Sequence, residues 1–367
     1  MIYLDHGATS FPKPKMVAQR VQWAMEHCTN PGRGGYDASL KASRAVFHTR
    51  ELAGEMFGCM PEQVAFTGNC THGLNIALRT LVKPGDRVVI SGFEHNAVTR
   101  TLYGLGANVV VAGRKLFDPS DTLQAFETAL QQGAECAVFT HVSNVFGYIL
   151  PVEELAALCR RYAVPFVVDA AQSAGSLPVD LRRWGASFVA MPGHKGLLGP
   201  QGTGLLLCGR DPKPMIFGGT GSDSASAEMP AFLPDRLEPG TVNVPGIAGL
   251  GAGLEYLNRR GIQNIFREEQ ACCRECALGL KKLGVQVYFG DYQSGNLSFL
   301  PKKDPEEVAS ALAKQGIAVR AGLHCAPLAH ESAGTFETGT VRVSFGHDAN
   351  LGQVRSLLNG VRKADVM

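Results

Sequence analysis

The sequence predicts an α/β protein in two parts: a larger one built on a mainly parallel sheet with helices on both faces, and a smaller α+β one. Three observations predict it. From Lys83 to Thr140, strand-like and helix-like segments alternate, the pattern of a mainly parallel sheet. Val164-Pro-Phe-Val-Val168 runs apolar without alternation, as a strand buried on both faces does, and ends on a single carboxylate, Asp169. Beyond residue 247, helical patterns and short strands are segregated instead of alternating. The expected boundaries are 15–246 for the larger part and 1–14 with 247–367 for the smaller.

Tyr3-Leu-Asp-His6 opens as a short strand, which Gly7, Pro12 and Pro14 stop. Apolar residues at 17, 21, 24 and 25 have helical spacing, and Asn30-Pro-Gly-Arg-Gly-Gly35 ends that helix in a loop that either lines a site or is a plain surface turn. Residues 38–58 read as a second amphipathic helix and 63–67 as a short strand, after which Gly68-Asn-Cys-Thr-His-Gly-Leu-Asn75 opens a helix. Strands follow at 87–90, 109–112 and 137–140, with helices from 94, at 121–131 and at 152–162. Gly204–Cys208 reads as an antiparallel strand entered through a glycine-rich turn. Asp211 to Val244 has no period, and so long an irregular stretch in a compact protein is functional or interfacial. The remainder reads as a helical region at 247–282 broken near Gly261, strands at 285–289 and 296–300, a helix at 304–315, strands at 317–320 and 341–345, and a last helix from Asp348.

A chain of 367 residues with 45% apolar and 19% charged content is long enough for two domains with a full core. Its net charge of +2, with 35 basic residues scattered along the chain, gives no electrostatic case for nucleic acid or an anionic membrane. The start lacks a basic region followed by an apolar core, and no apolar run approaches membrane-spanning length, so a cytoplasmic protein is expected. The ten cysteines are dispersed, as Cys136, Cys159 and Cys208 illustrate, and most of them read as reduced core thiols. The densest group, Cys272, Cys273 and Cys276, has no second ligand pair or nearby histidine, and no metal site is expected.

Asp169 falls at the C-terminal edge of its strand, where open α/β sheets bind ligands. Lys195 sits between His194 and a glycine-rich turn. An amine and a carboxylate are the pair that pyridoxal phosphate needs, one for a Schiff base and one for the pyridinium nitrogen. Thr71 at a helix start either adds a hydroxyl to a phosphate cradle or is only a cap. His95, just past a strand, either stacks on an aromatic ring or is structural, and Asn144 follows the strand at 137–140. In the smaller part, a strand from Ile317 runs into a loop carrying Cys325, with Arg320 and His324 as basic neighbours able to favour a thiolate; the alternative is an inert thiol. Arg342, alone among valines, requires a carboxylate, from a substrate or from within the chain.

Eight motifs occur in a specific order: Tyr-Leu-Asp-x-x-Ala-Thr at 3–9, Thr-x-Gly-Leu-Asn at 71–75, Glu-His-Asn-Ala at 94–97, His-Val-Ser-Asn-Val-x-Gly at 141–147, Val-Asp-Ala-Ala-Gln-Ser at 168–173, Gly-His-Lys at 193–195, Glu-Pro-Gly-Thr-x-Asn at 238–243 and Arg-Ala-Gly-x-His-Cys-Ala at 320–326. Together they resemble, nearly end to end, the class V aminotransferase family of pyridoxal phosphate enzymes with the type I fold, and within it the group II cysteine desulfurases and selenocysteine lyases. The resemblance implies a seven-stranded sheet in the cofactor domain. It implies Lys195 as the Schiff-base lysine, Asp169 at the ring nitrogen, Gln172 at the phenolic oxygen, His95 stacked on the ring, and Thr71 and His194 on the phosphate, with His72 beside them. Thr241 is expected to reach the phosphate of a neighbouring subunit, which makes a homodimer the functional unit. Asn144, Arg320 and Arg342 match positions near the substrate, with Arg342 on its carboxylate, and Cys325 matches the sulfur-accepting cysteine.

The implied reaction converts L-cysteine to L-alanine, with sulfur taken by Cys325 as a persulfide and passed to an acceptor protein. The alternatives are L-selenocysteine cleavage and a class V reaction on another amino acid. The short Arg-Ala-Gly-Leu-His-Cys-Ala form resembles group II enzymes, which generally need a dedicated acceptor. Three residues depart from the pattern. Pro192 replaces a frequent serine and supplies neither hydroxyl nor N–H, His72 stands where an acid is common, and Leu323 replaces the first of two adjacent histidines.

Overall fold

The computed structural model describes residues 1–32 and 34–366, so Arg33 of the loop at 30–35 lies outside the described residues. Strands β1 (Ile2–Tyr3), β2 (Val64–Thr67), β3 (Arg87–Ser91), β4 (Asn108–Ala112), β5 (Cys136–Thr140), β6 (Phe166–Asp169), β7 (Phe188–Pro192), β8 (Gly204–Cys208), β9 (Gln286–Tyr288), β10 (Asn296–Leu300), β11 (Ile317–Ala318), β12 (Arg320–Gly322) and β13 (Thr340–Ser344) form three sheets. The largest has seven strands in the order β2-β8-β7-β6-β5-β3-β4. Its strands are parallel except β8, which lies antiparallel between β2 and β7.

Covering both faces of this sheet explains the unbroken apolar runs. Along β3, Val88 and Ile90 pack into one core while Val89 packs into the other, and Leu206 and its neighbours Leu205 and Leu207 divide in the same way. The helices Cys70–Leu81 and Asn96–Gly104 cover one face, burying Leu74, Val98 and Leu102. The helices Pro119–Gln131 and Val152–Arg161 cover the other through Phe126, Leu155 and Leu158. Strand β7 escapes a sequence reading because it ends on Pro192, a poor strand residue; at the strand's last position the missing N–H is tolerated.

The smaller part has an antiparallel sheet, β12-β13-β10-β9, and the parallel pair β1 and β11. The helices Ile262–Lys282, Pro305–Lys314 and Leu351–Val361 bury Cys272, Cys273, Cys276, Leu280, Val308, Leu312 and Leu357 against Leu297, Phe299, Val341 and Val343. Burial raises the thiol pKa of all three of these cysteines, so they are packing groups.

Several local expectations change. The single strand expected at 317–320 is two, because β11 pairs with β1 whereas β12 pairs with β13. The last helix starts at Leu351 and not at Asp348: Asn350 caps it by accepting from Gly352 N and Gln353 N. The short helices Leu181–Trp184 and Pro327–Ala333 carry too few residues to show a period. The helix Val244–Arg260 sends Ile247, Leu250, Leu254 and Leu257 into the larger core, and Gly261, at φ 78°, breaks the chain before the next helix. We therefore place the boundary between the parts at Gly261 and not at residue 246. Between β8 and that helix, the irregular stretch carries only a short helical turn, Asp235–Leu237. Among the described residues, no helix is long and apolar enough to cross a membrane.

Candidate active site

Because β2, β3, β5, β6 and β7 run parallel, their C-terminal ends share one edge of the sheet, and the residues just beyond them meet there. Thr71, His95, Asn144, Asp169, Gln172, His194 and Lys195 line one cavity of about 250 Å³. The smaller part closes it with Arg320, His324, Cys325 and Arg342. Of the residues singled out in the sequence, His72 and Thr241 are not part of its lining.

The helix Cys70–Leu81 is capped by Asn69, whose Oδ1 accepts from His72 N at 2.9 Å. Thr71 is therefore not the cap: it is exposed, and its hydroxyl makes no hydrogen bond among the described residues. The unpaired N–H groups at this helix start and a free hydroxyl could together receive an anion. His72 instead turns back onto its own loop, its Nδ1 accepting from Gly68 N at 3.3 Å.

His95 caps the helix Asn96–Gly104, its Nδ1 accepting from Ala97 N at 3.0 Å. That bond assigns the proton to Nε2, and burial lowers the ring's pKa, so the imidazole is neutral. Asp169 is 3% exposed; its Oδ1 accepts from Ala171 N at 2.8 Å and lies 3.5 Å from Cys70 Sγ. Its Oδ2 accepts no hydrogen bond among the described residues, which leaves it for a ligand. Lys195 forms no ion pair among the described residues, and burial, followed by the Arg342 charge, lowers its pKa while Asp169 opposes the shift. Burial pushes His194 down to about 4. Its carbonyl accepts from Ser10 N at 3.0 Å and Lys13 Nζ at 2.6 Å.

Gln172 links the two parts: Nε2 donates to Gly7 O at 3.0 Å and Oε1 accepts from Asn296 Nδ2 at 3.1 Å. Arg342, 2% exposed, finds its carboxylate within the chain. Nη2 pairs with Asp5 Oδ1 at 2.6 Å and Nη1 donates to Asn144 O at 2.9 Å, yet the buried Nε has no partner. Gly7 permits this approach, since a Cβ there would lie 3.0 Å from Arg342 Cζ.

Among the ten cysteines, all free, Cys325 alone is exposed. It and His324 adopt left-handed backbone angles, φ 56° and 51°, which non-glycine residues rarely take without support. The support comes from the larger part: Cys325 O accepts from Asn96 N and His324 O from Asn144 Nδ2, both at 2.7 Å. Asn144 Oδ1 stays buried without a partner. His324 Nδ1 lies 3.5 Å from His330 Nε2, and His330 Nδ1 lies 2.8 Å from Thr335 Oγ1. His324 is a correction to the sequence reading. Burial and then the Arg342 charge drive its pKa down to about 3, so it gives Cys325 no cation, and Arg320 is the remaining basic neighbour.

Sequence reasoning missed three supporting residues. Asp5, inside the first motif, is the partner of Arg342. Asn69 is the helix cap, and its place just before the helical pattern was the available signal. Glu94, next to His95, ties β3 to β5 by accepting from the Ser91 hydroxyl and from Thr140 N, and burial raises its pKa to about 8. Thr241 lies exposed on a separate concave surface beside Arg50 and Glu238.

A sequence profile of the family described as aminotransferase class-V matches residues 2–357. A protein from Methanothermobacter thermautotrophicus, described as a probable cysteine desulfurase, is 34% identical over 94% of this chain and 90% of its own length. A protein of the same description from Pyrococcus abyssi is 33% identical over 98% of this chain and 92% of its own. The apo structure of a cysteine desulfurase from Thermococcus onnurineus superposes with a TM-score of 0.90 at 31% identity, covering 99% of this chain and 94% of that one.

Proposed function

The chain belongs to the class V aminotransferase family, and on that premise we propose that it is a pyridoxal-phosphate-dependent cysteine desulfurase that converts L-cysteine to L-alanine and takes the sulfur onto Cys325. The observation that carries this reading is the position of Cys325: the one exposed thiol of ten lines the same cavity as Lys195 and Asp169.

The residues present fit the cofactor. The free Asp169 Oδ2 suits a protonated ring nitrogen, the helix start at Thr71 suits a phosphate, and the neutral, flat His95 suits a ring face. Lys195 would hold it covalently and Gln172 would face its phenolic oxygen. When bound, pyridoxal phosphate supplies an electron sink for charge developing at the amino acid's α-carbon.

The chain's own groups do the rest. Arg342 offers Nε to the substrate carboxylate while Asp5 keeps the guanidinium charged and fixed. Lys195, with its lowered pKa, carries a proton to and from the α-carbon. The Cys325 thiolate attacks the substrate Sγ; the Cβ–Sγ bond breaks, its electron pair staying with carbon, and Cys325 retains the sulfur as a persulfide. Protonation at Cβ then completes L-alanine. The carbonyl pins on His324 and Cys325 hold this loop short and fixed, so an acceptor protein must bring its own thiol to the cavity. Thr241 serves the phosphate of a second copy in a homodimer; its exposure, away from the chain's own cavity, supports this role. With ten free cysteines, the protein is suited to the reducing cytoplasm.

Alanine release from L-cysteine, measured with reductant present, tests this reading. The wild type turns over, and Lys195→Ala and Cys325→Ala each lose about a hundredfold or more. If the wild type instead cleaves only L-selenocysteine, and Cys325→Ala cleaves it equally well, the desulfurase reading fails.

A further inference from the structure

We propose that His6, His347 and Asp348 form a binding site for a divalent transition-metal ion such as Zn²⁺, set behind the wall of the cavity. One donor atom from each of the three lies within 4.8 Å of the others. His6 follows β1 and the other two follow β13, so the site joins the first and last strands of the smaller part.

Two features separate this cluster from an incidental grouping of polar residues. The His6 side chain is 6% exposed, yet neither ring nitrogen has a hydrogen-bond partner among the described residues. Its Nε2 approaches Asp348 Oδ1 at 3.3 Å, off the line that a hydrogen bond needs. His347 Nδ1 is likewise buried and unpartnered. Buried imidazole nitrogens are ordinarily paired, and lone pairs left unused beside a carboxylate are what a metal ion engages. The second feature is geometry. The two rings stand 6.1 Å apart at 80°, so they approach from different directions and do not stack. Gly346 lies flat on the His6 ring, where a Cβ would come within 2.2 Å of Nδ1, and Tyr256 packs edge-on against His347 at 5.8 Å.

The donor set decides the ion. Two imidazoles and one carboxylate suit zinc and its neighbours, whereas magnesium and calcium prefer oxygen ligands alone. Zinc holds such donors at about 2.0–2.2 Å, and rotation of the half-buried His347 and the exposed Asp348 closes the remaining separation. Asp348 faces solvent, giving the ion a route in and leaving a position for water. His6 lies between Asp5, the partner of Arg342, and Gly7, whose carbonyl accepts from Gln172. A bound ion therefore fixes the stretch of chain that orients both residues.

The test uses cofactor-loaded, chelator-treated protein carrying Cys325→Ala, which removes the exposed thiol as a competing ligand. Titration calorimetry with Zn²⁺ should give one ion per chain at micromolar affinity or tighter. His347→Ala and the conservative Asp348→Asn should each weaken it at least tenfold, and X-ray absorption of the bound zinc should show nitrogen and oxygen donors without sulfur. Absence of one-to-one binding, unchanged affinity in both variants, or sulfur in the coordination shell would each overturn the proposal.

Discussion

Asn144 does two things with one residue: its amide holds the His324 carbonyl and its own carbonyl accepts from Arg342. The loop that carries Cys325 and the Arg342 guanidinium thus share a support. Asn144→Ala removes one of the two hydrogen bonds that sustain the left-handed pair His324 and Cys325, and losing such a buried bond costs about 1–3 kcal/mol. We expect kcat/KM for L-cysteine to fall about tenfold or more, and amide exchange of residues 323–326 to quicken, as mass-spectrometric hydrogen exchange would report. At this scale, the sequence made the groups at strand ends legible, because a carboxylate or lysine at the edge of an apolar run is costly to bury without a ligand or partner. It did not reveal which groups are neutral. His324 resembles a cation in a motif, but its charge state follows from burial and from Arg342, a neighbour that only folding brings near.

A buried ion pair helps tie the irregular stretch 211–243 to the larger part. Arg50 donates to both carboxylate oxygens of Glu238 at 2.8 Å, and Phe66 N donates to the same carboxylate at 2.7 Å. The guanidinium also lies over the Phe66 ring, 4.4 Å from its centroid. Glu238→Ala leaves a buried charge unpaired and should cost about 3–5 kcal/mol in urea unfolding. It should also loosen the Glu-Pro-Gly-Thr turn that carries Thr241, so a loss of activity larger than that of Thr241→Ala is expected. Composition showed that this stretch has no period, but not what holds it. Element edges failed where elements are short or divided. The strand expected at 317–320 serves two sheets, and a period of two cannot show which partner each half will choose.

Across the molecule, the parallel sheet was legible because burial on both faces writes itself into unbroken apolar runs, as in β6 and β8. The domain boundary was less so, since the helix Val244–Arg260 is apolar enough to join either core and only its packing chooses. The whole fold also carries a pH signature. Burial raises Glu94 and Glu269 from the usual 4.5 to about 8. Between those values the folded protein holds protons that the unfolded chain has released, so stability is greatest below about 4.5 from these two groups and is lost as pH rises through 8. With cofactor loading held equal, Glu94→Gln should raise the unfolding midpoint at pH 8 and leave it nearly unchanged at pH 4.5.

The central claim is that Cys325 receives the substrate's sulfur. Brief reaction with L-cysteine, without added reductant, followed by alkylation and peptide mass spectrometry, addresses it directly. The Cys325 peptide should carry one additional sulfur atom and the nine other cysteines none. An unmodified Cys325 in an enzyme that is releasing alanine, or sulfur found on a different cysteine, would contradict it.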